Sequence, residues 1–138
     1  MRRLIAVTLF VVGASLVGAS FGARAQGQNL SETLKQPAHK AAWDKLLKGQ
    51  KVPAWLSNFS KTAEGVVIPS VLVEIDGVRY QMDHVCKPHD CSGNEFEVLF
   101  APEGQQAWGA LVTKGGKPRF FGAPSPKQRQ ALQDQLKQ

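Results

Sequence analysis

Residues 71–83 read Val-Leu-Val-Glu-Ile-Asp-Gly-Val-Arg-Tyr-Gln-Met-Asp, and this stretch decides the fold. On each side of Asp76-Gly77, every second residue is apolar, which is the period of a half-buried β-strand. An Asp-Gly pair between two such runs is the strongest short signal for a β-hairpin. The stretch therefore predicts two antiparallel strands joined by a two-residue turn.

Three more strands are predicted after this hairpin. Apolar residues alternate over 94–100, residues 108–112 are apolar on both faces, and residues 118–122 form a last short strand. Consecutive strands joined by short turns predict a five-stranded antiparallel meander sheet.

Two helical segments flank the predicted sheet. Ser31 is predicted to cap a first helix, whose apolar stripe runs from Leu34 to Leu46 and which ends near Gly49. Ser125 is predicted to cap a C-terminal helix that begins at Pro126. The order helix, sheet, helix predicts an α+β domain whose helices pack on one face of the sheet. A loop closed by a disulfide is expected to protrude from this domain.

Three further residues are interpreted as structural. Trp43 lies in the apolar stripe of the first helix and is predicted to be part of the core. His84 continues the apolar phase of the second strand, so it is predicted to be partly buried with a hydrogen-bond partner. Gly109 predicts a close approach of another group to its strand.

The first 25 residues have the composition of a secretory signal peptide. Two arginines precede a long apolar run, and Ala23-Arg24-Ala25 is an A-x-A cleavage signal. Residues 1–25 are therefore predicted to be a signal peptide, and residues 26–138 a single exported domain. A transmembrane anchor is the alternative, which the Gly and Ser residues within the run disfavour. After cleavage no membrane association is expected.

The charge of the chain argues against nucleic-acid binding. It contains 17 Lys and Arg and 11 Asp and Glu, which give a formal charge of +6. Because three of the arginines lie in the predicted signal peptide, 14 basic residues remain against 11 acidic ones, a charge of +3. The basic residues are scattered, without a run that interleaves with aromatic residues, so no nucleic-acid partner is expected.

The only two cysteines bound the stretch Cys86-Lys87-Pro88-His89-Asp90-Cys91. In an exported protein such an isolated pair is most simply a disulfide. The ring closed by this bond is too small to fold into a core, so it is predicted to protrude between two strands. It presents a cation, an imidazole and a carboxylate on a stiffened turn.

Several chemical interpretations of this loop fit poorly. His84, Cys86, His89 and Cys91 have the ligand types of a zinc site, but their spacing is much shorter than in zinc modules, and oxidation removes the thiolates. Thiol–disulfide exchange favours a C-x-x-C pair at the start of a helix, which Pro88 opposes here. No hydrolase nucleophile motif is present. The sequence therefore predicts neither an enzyme nor a metal or cofactor site.

Recognition of another molecule is the remaining interpretation. Pro88 limits the freedom of the ring, which lowers the entropy lost on docking. A charged His89 donates hydrogen bonds from both ring nitrogens, which suits a pair of carboxylates, and Lys87 adds positive charge. Two catalytic carboxylates are found in many glycosidase clefts. From the residues alone, a plug for such a cleft and an ordinary closed turn without a partner stay equally open.

The chain resembles the Ivy family of bacterial periplasmic inhibitors of vertebrate-type, or C-type, lysozyme. The resemblance lies in the six-residue loop 86–91, in Tyr80 before it, and in Val98-Leu99-Phe100 and Ala107-Trp108-Gly109 after it. It extends over nearly the whole chain that follows the predicted signal peptide.

The resemblance implies a periplasmic homodimer whose loop enters the lysozyme cleft. It implies that His89 faces the two catalytic carboxylates, while Lys87, Pro88 and Asp90 shape or extend the contact. It also implies a binding protein that catalyses no reaction and needs no cofactor. A second interpretation uses the same loop to control the cell's own peptidoglycan-cleaving enzymes, such as lytic transglycosylases.

Overall fold

Antiparallel strand pairing organises the computed structural model, which describes residues 28–138. The predicted signal peptide, residues 1–25, lies outside the described residues. The helices are α1 (Leu30–Thr33), α2 (Pro37–Leu47), α3 (Ala54–Thr62) and α4 (Pro126–Gln135). The strands are β1 (Val66–Val67), β2 (Val71–Ile75), β3 (Val78–Cys86), β4 (Glu95–Phe100), β5 (Ala107–Val112) and β6 (Arg119–Phe121). A tight turn, Pro102–Gly104, in which Glu103 has a positive φ, connects β4 to β5.

The predicted hairpin forms at Asp76-Gly77. β2 and β3 pair with Ile75 opposite Val78, and the two turn residues have φ values of 51° and 77°. Positive φ at both central residues is the requirement of a type I′ turn, whose twist matches that of the strands it joins. The hairpin prediction is confirmed.

The sheet has six strands, one more than predicted, and β3 to β6 form the expected antiparallel meander. β1 and β2 pair with the same edge of β3: β1 lies opposite Val85 and Cys86, and β2 lies opposite residues 78–82. β1 was missed because two residues are too few for an alternating pattern to show. Pro69 separates the two strands, since it has no amide N–H to continue the ladder.

Helices cover both faces of this sheet, whereas the sequence predicts helices on one face only. α1, α2 and α3 pack on the face that carries Phe96, Val98 and Phe100. Leu99 of β4 points to the opposite face, where it packs with Leu132 of α4. The physical reason is that β5 is buried along its whole length, so both of its apolar faces need cover. The predicted α+β class with an antiparallel sheet is confirmed.

The helix ends follow from their capping residues. Asn29, rather than the predicted Ser31, caps α1, because its side chain accepts a hydrogen bond from the amide of Glu32. Ser125 caps α4 as predicted, in a capping box with Gln128. Within residues 28–138, no helix combines the length and the apolar composition that crossing a bilayer requires.

Candidate functional site

The loop between β3 and β4 projects from the end of the sheet. Cys86 opposite Glu95 is the last pair of the two strands, and the amide of Lys87 still donates to the carbonyl of Asn94 at 3.0 Å. The disulfide between Cys86 and Cys91 forms as predicted, with a Cα–Cα distance of 4.9 Å. The closed ring therefore lies at the end of the hydrogen-bonded β3–β4 strand pair.

Residues 87–90 of the ring form a β-turn. The amide of Asp90 donates to the carbonyl of Lys87 at 3.1 Å, and His89 has φ of 63°. Because the proline ring fixes φ of Pro88 at a negative value, this combination is a type II turn. Glycine is the residue that usually occupies the third position of such a turn, since a side chain there is strained.

The crest of the turn presents His89 to solvent. Pro88, His89 and Asp90 are exposed, while Lys87 is half-buried. Nζ of Lys87 contacts Oδ2 of Asp90 at 2.8 Å, so the two charges of the ring neutralise each other. Within residues 28–138, the imidazole of His89 makes no hydrogen bond or ion pair. The group that remains available for a partner is therefore this imidazole.

Asn94 holds the base of the loop, a role that no sequence motif predicts. Its side chain is buried, its Nδ2 donates to the carbonyl of Asp90 at 3.2 Å, and its Oδ1 accepts from the amide of Lys114 at 3.1 Å. The run Ser92-Gly93-Asn94 is a turn signal, and this was the available hint. Nothing in one sequence indicated that the side chain would reach the β5–β6 turn.

His84 and Glu97 form a buried acid–base pair two residues before the ring. They lie opposite each other in β3 and β4, with side chains 12% and 3% exposed, and a hydrogen bond joins Nδ1 of His84 to Oε1 of Glu97. Burial raises the pKa of Glu97, and the interaction with His84 only partly offsets this. Burial lowers the pKa of His84, but the hydrogen bond and charge of Glu97 outweigh it and raise the pKa. The predicted partly buried, hydrogen-bonded His84 is confirmed.

The zinc interpretation has no geometric support. Both sulfurs are joined to each other, and His84 is engaged with Glu97. In the part of the chain that the structure describes, no group of three or more His, Cys, Asp or Glu side chains is arranged to hold a metal ion. The four residues considered as ligands are thus divided between a disulfide, a buried pair and an exposed crest.

Comparison with known proteins places these features in a family. Residues 38–138 match the family model described as Inhibitor of vertebrate lysozyme (Ivy). The chain belongs to the Ivy family. The resemblance seen in the sequence is thereby confirmed.

Relatives from two species carry the name Inhibitor of vertebrate lysozyme. The one from Pseudomonas aeruginosa is 33% identical over 144 residues, which cover 94% of this chain and 91% of the relative. The one from Escherichia coli K12 is 29% identical over 100 residues, which cover 72% of this chain and 60% of the relative. An uncharacterized protein from Yersinia pestis is 37% identical over 97 residues, with a coverage of 70% and 60%. The chain thus spans about 60% of the E. coli and Y. pestis relatives.

Proposed function

We propose that this Ivy-family protein inhibits C-type lysozyme by inserting residues 86–91 into the active-site cleft. The observation that carries the proposal is His89, an exposed imidazole that makes no hydrogen bond or ion pair with residues 28–138 and is held at positive φ on the crest of a disulfide-closed turn. The names of the P. aeruginosa and E. coli relatives support the choice of lysozyme as the target.

The chemistry of the proposed contact follows from the two carboxylates of a glycosidase cleft. One of them acts as general acid and the other as nucleophile or stabiliser, which requires their pKa values to differ. A charged imidazole between them donates a hydrogen bond to each, and charge-assisted bonds of this kind are about twice as strong as neutral ones. The imidazole excludes the substrate and removes the difference in pKa. The inhibitor therefore acts by binding lysozyme and catalyses no reaction itself.

The neighbours of His89 give the loop its shape and reach. Pro88 fixes the backbone before the imidazole, so less entropy is lost on docking. Lys87 and Asp90 lie on the flanks of the ring, where they extend the contact to the rim of the cleft. Their mutual ion pair is exposed, with side chains 42% and 54% accessible, so it contributes little to folding.

An inhibition titration tests the proposal. Purified residues 26–138 are mixed with a C-type lysozyme at increasing molar ratio, and the clearing of a cell-wall suspension is followed. We expect lysis to stop at or near equimolar inhibitor, whereas lysis that continues in large molar excess would contradict the proposal. Elemental analysis and a free-thiol assay on the same sample check that zinc and reduced cysteines do not account for the result.

Lytic transglycosylases are the second candidate class of target. They also cleave peptidoglycan, and the same loop would enter their active-site cleft. A pull-down from periplasmic extract with the wild-type protein and with His89→Ala separates the two. Retention of a transglycosylase by the wild type alone, without inhibition of lysozyme, would favour control of endogenous enzymes.

We further infer that the protein acts in the periplasm as a homodimer. The predicted signal peptide supports export, and N-terminal sequencing of the periplasmic protein tests cleavage before Gln26. Among residues 28–138, four of the five large exposed hydrophobic residues lie in or between β1 and β2, at the edge of the sheet, and the fifth lies at the start of β3; this apolar edge supports a dimer. The five residues are Val66, Ile68, Val71, Leu72 and Val78. Light scattering of the purified protein tests this assembly, and a monomer at micromolar concentration would contradict it.

A further inference from the structure

The loop is restrained at its base by a covalent bond and by a set of hydrogen bonds. We propose that Asn94 is a positioning residue, which keeps the turn 87–90 in its docking conformation independently of the Cys86–Cys91 disulfide. This inference rests on the proposed function, because docking is what the conformation serves. Asn94 itself is only 6% exposed, so it is not offered as a contact of the partner.

Asn94 reaches both ends of the turn. Its backbone carbonyl accepts from the amide of Lys87 at 3.0 Å, and its side-chain Nδ2 donates to the carbonyl of Asp90 at 3.2 Å. Its backbone amide donates to the carbonyl of Cys91 at 2.9 Å. One buried residue therefore bonds the first residue of the turn, the last residue of the turn and the second cysteine.

The anchor for Asn94 is the turn between β5 and β6. Its Oδ1 accepts from the amide of Lys114 at 3.1 Å, and the amide of Gly115 donates to the carbonyl of Gly93 at 2.9 Å. The two backbones touch, because a Cβ on Gly93 would lie 2.6 Å from the nitrogen of Gly115. A loop that is tied to a separate hairpin does not depend on its own ring closure alone.

The two restraints are of similar strength. A net hydrogen bond changes an equilibrium by about fivefold, so the two side-chain bonds of Asn94 change the opening of the loop by about thirtyfold. A disulfide around so short a ring has an effect of about the same size. The apparent affinity scales with the fraction of molecules whose loop is in the docking conformation. Losing one restraint therefore lowers the affinity only slightly while the other restraint persists.

A double-mutant cycle on the full mature chain tests this redundancy. Association and dissociation rates with a C-type lysozyme are measured for the wild type, Asn94→Ala, Cys86→Ala/Cys91→Ala and the triple variant. We expect removal of either restraint alone to slow association by about threefold or less, and removal of both to slow it by about thirtyfold or more, well above the roughly ninefold product of the two single effects. The dissociation rate should stay within about twofold, since the docked loop is the same.

Two additional variants separate positioning from general stability. Asn94→Asp keeps the shape and the acceptor for Lys114, but it places a carboxylate against the carbonyl of Asp90, so it should slow association at least as much as Asn94→Ala. Asn58→Ala changes an exposed asparagine of α3 and should leave both rates unchanged. All rates are compared well below the melting temperature of the weakest variant.

Hydrogen exchange gives a readout that does not need lysozyme. The amide of Asp90 closes the turn, and it should exchange faster in Asn94→Ala and much faster in the triple variant. If the wild type fails to inhibit lysozyme, the proposed function is contradicted, but this exchange pattern still shows whether Asn94 positions the turn. The inference itself is overturned if the effects of Asn94→Ala and of disulfide removal on association simply multiply, or if Asn94→Ala acts mainly on dissociation.

Discussion

His84 and Glu97 face each other across the β3–β4 pair, joined by one hydrogen bond, while the second carboxylate oxygen of Glu97 has no hydrogen-bond partner among residues 28–138. Both side chains are largely buried, and the pKa of each is raised. For Glu97 the cause is burial, and for His84 it is the proximity of Glu97, which outweighs burial. The folded protein therefore binds protons at this pair more readily than the unfolded chain.

The first prediction is that stability falls as the pH rises past neutrality. A raised pKa of His84 means that its stabilising contribution is complete below the unfolded value, about 6.5, and is lost as the pH passes the higher folded value. The raised pKa of Glu97 acts in the same direction at lower pH. Thermal unfolding followed by circular dichroism should give a melting temperature several degrees higher at pH 6 than at pH 8.5.

The second prediction concerns Glu97→Gln, which keeps the shape of the side chain and removes its charge. Without the carboxylate, burial acts on His84 against only the weaker effect of the Glu95 charge, so the pKa of His84 falls and stability should rise with pH between pH 5 and pH 7. The slope of melting temperature against pH is thus expected to change sign relative to the wild type. A variant that keeps the wild-type slope would show that the pair does not control it.

The third prediction separates the imidazole of His89 from the strain of its backbone. His89→Ala and His89→Gly should both weaken inhibition of lysozyme by at least about thirtyfold, the effect of an interface hot spot of about 2 kcal/mol. The glycine variant should be the more stable of the two, by about 0.5–1 kcal/mol, because glycine accepts positive φ without strain. Titration and chemical denaturation measure the two effects.

Glu103 provides the matched control for that experiment. Pro102-Glu103 occupies the same turn positions as Pro88-His89, the amide of Gly104 donates to the carbonyl of Ala101 at 2.8 Å, and φ of Glu103 is 64°. Glu103→Ala thus places an alanine at the same positive φ, with the same strain, but away from the loop 86–91. It should therefore leave inhibition unchanged. Equal losses in His89→Ala and Glu103→Ala would remove the assigned role of His89.

The fourth prediction concerns the buried carboxylate of Asp83, which is 1% exposed. Burial raises the pKa of Asp83, and hydrogen bonds from Ser70 and Gln81 partly offset this. Ser70→Ala should lower the free energy of unfolding by about 1–3 kcal/mol at pH 7, because it leaves a buried carboxylate oxygen unpaired. The loss should shrink in acid, where the carboxyl is protonated. Ser57→Ala in α3 is the control and should cost less than about 0.5 kcal/mol.

The fifth prediction concerns Gly109 in β5. A Cβ at this position would lie 2.4 Å from Cζ of the buried Phe96 ring. Gly109→Ala should therefore displace the ring and cost about 1–3 kcal/mol, as measured by urea denaturation. Gly49→Ala, where a Cβ meets nothing within 4 Å, should cost only the strain of its positive φ.

Local signals were sufficient to predict much of the fold. The Asp76-Gly77 turn, the Ser125 cap and the close approach at Gly109 each depend on a few neighbouring residues, so one sequence reveals them. Trp43 was correctly assigned to the core from its helical spacing, and it is fully buried. The disulfide followed from the isolation of Cys86 and Cys91 in a chain predicted to be exported.

Contacts between distant segments could not be predicted in this way. The bond from Asn94 to Lys114 joins residues 20 positions apart, and it depends on how the two hairpins lie beside each other. Glu97 looked like a solvent-facing residue because it alternates with Phe96 and Val98, yet it is only 2% exposed. Alternation separates the two faces of a strand, but it does not reveal that both faces are covered.

The contact between Gly93 and Gly115 has a consequence for anyone who wishes to transplant the loop. Because the two backbones touch and hydrogen-bond, residues 86–94 owe part of their shape to residues 113–116. A graft of the ring alone onto a foreign hairpin would lose that support. The smallest unit that can be transplanted therefore contains both residues 86–94 and residues 113–116, together with the strands that fix the distance between them.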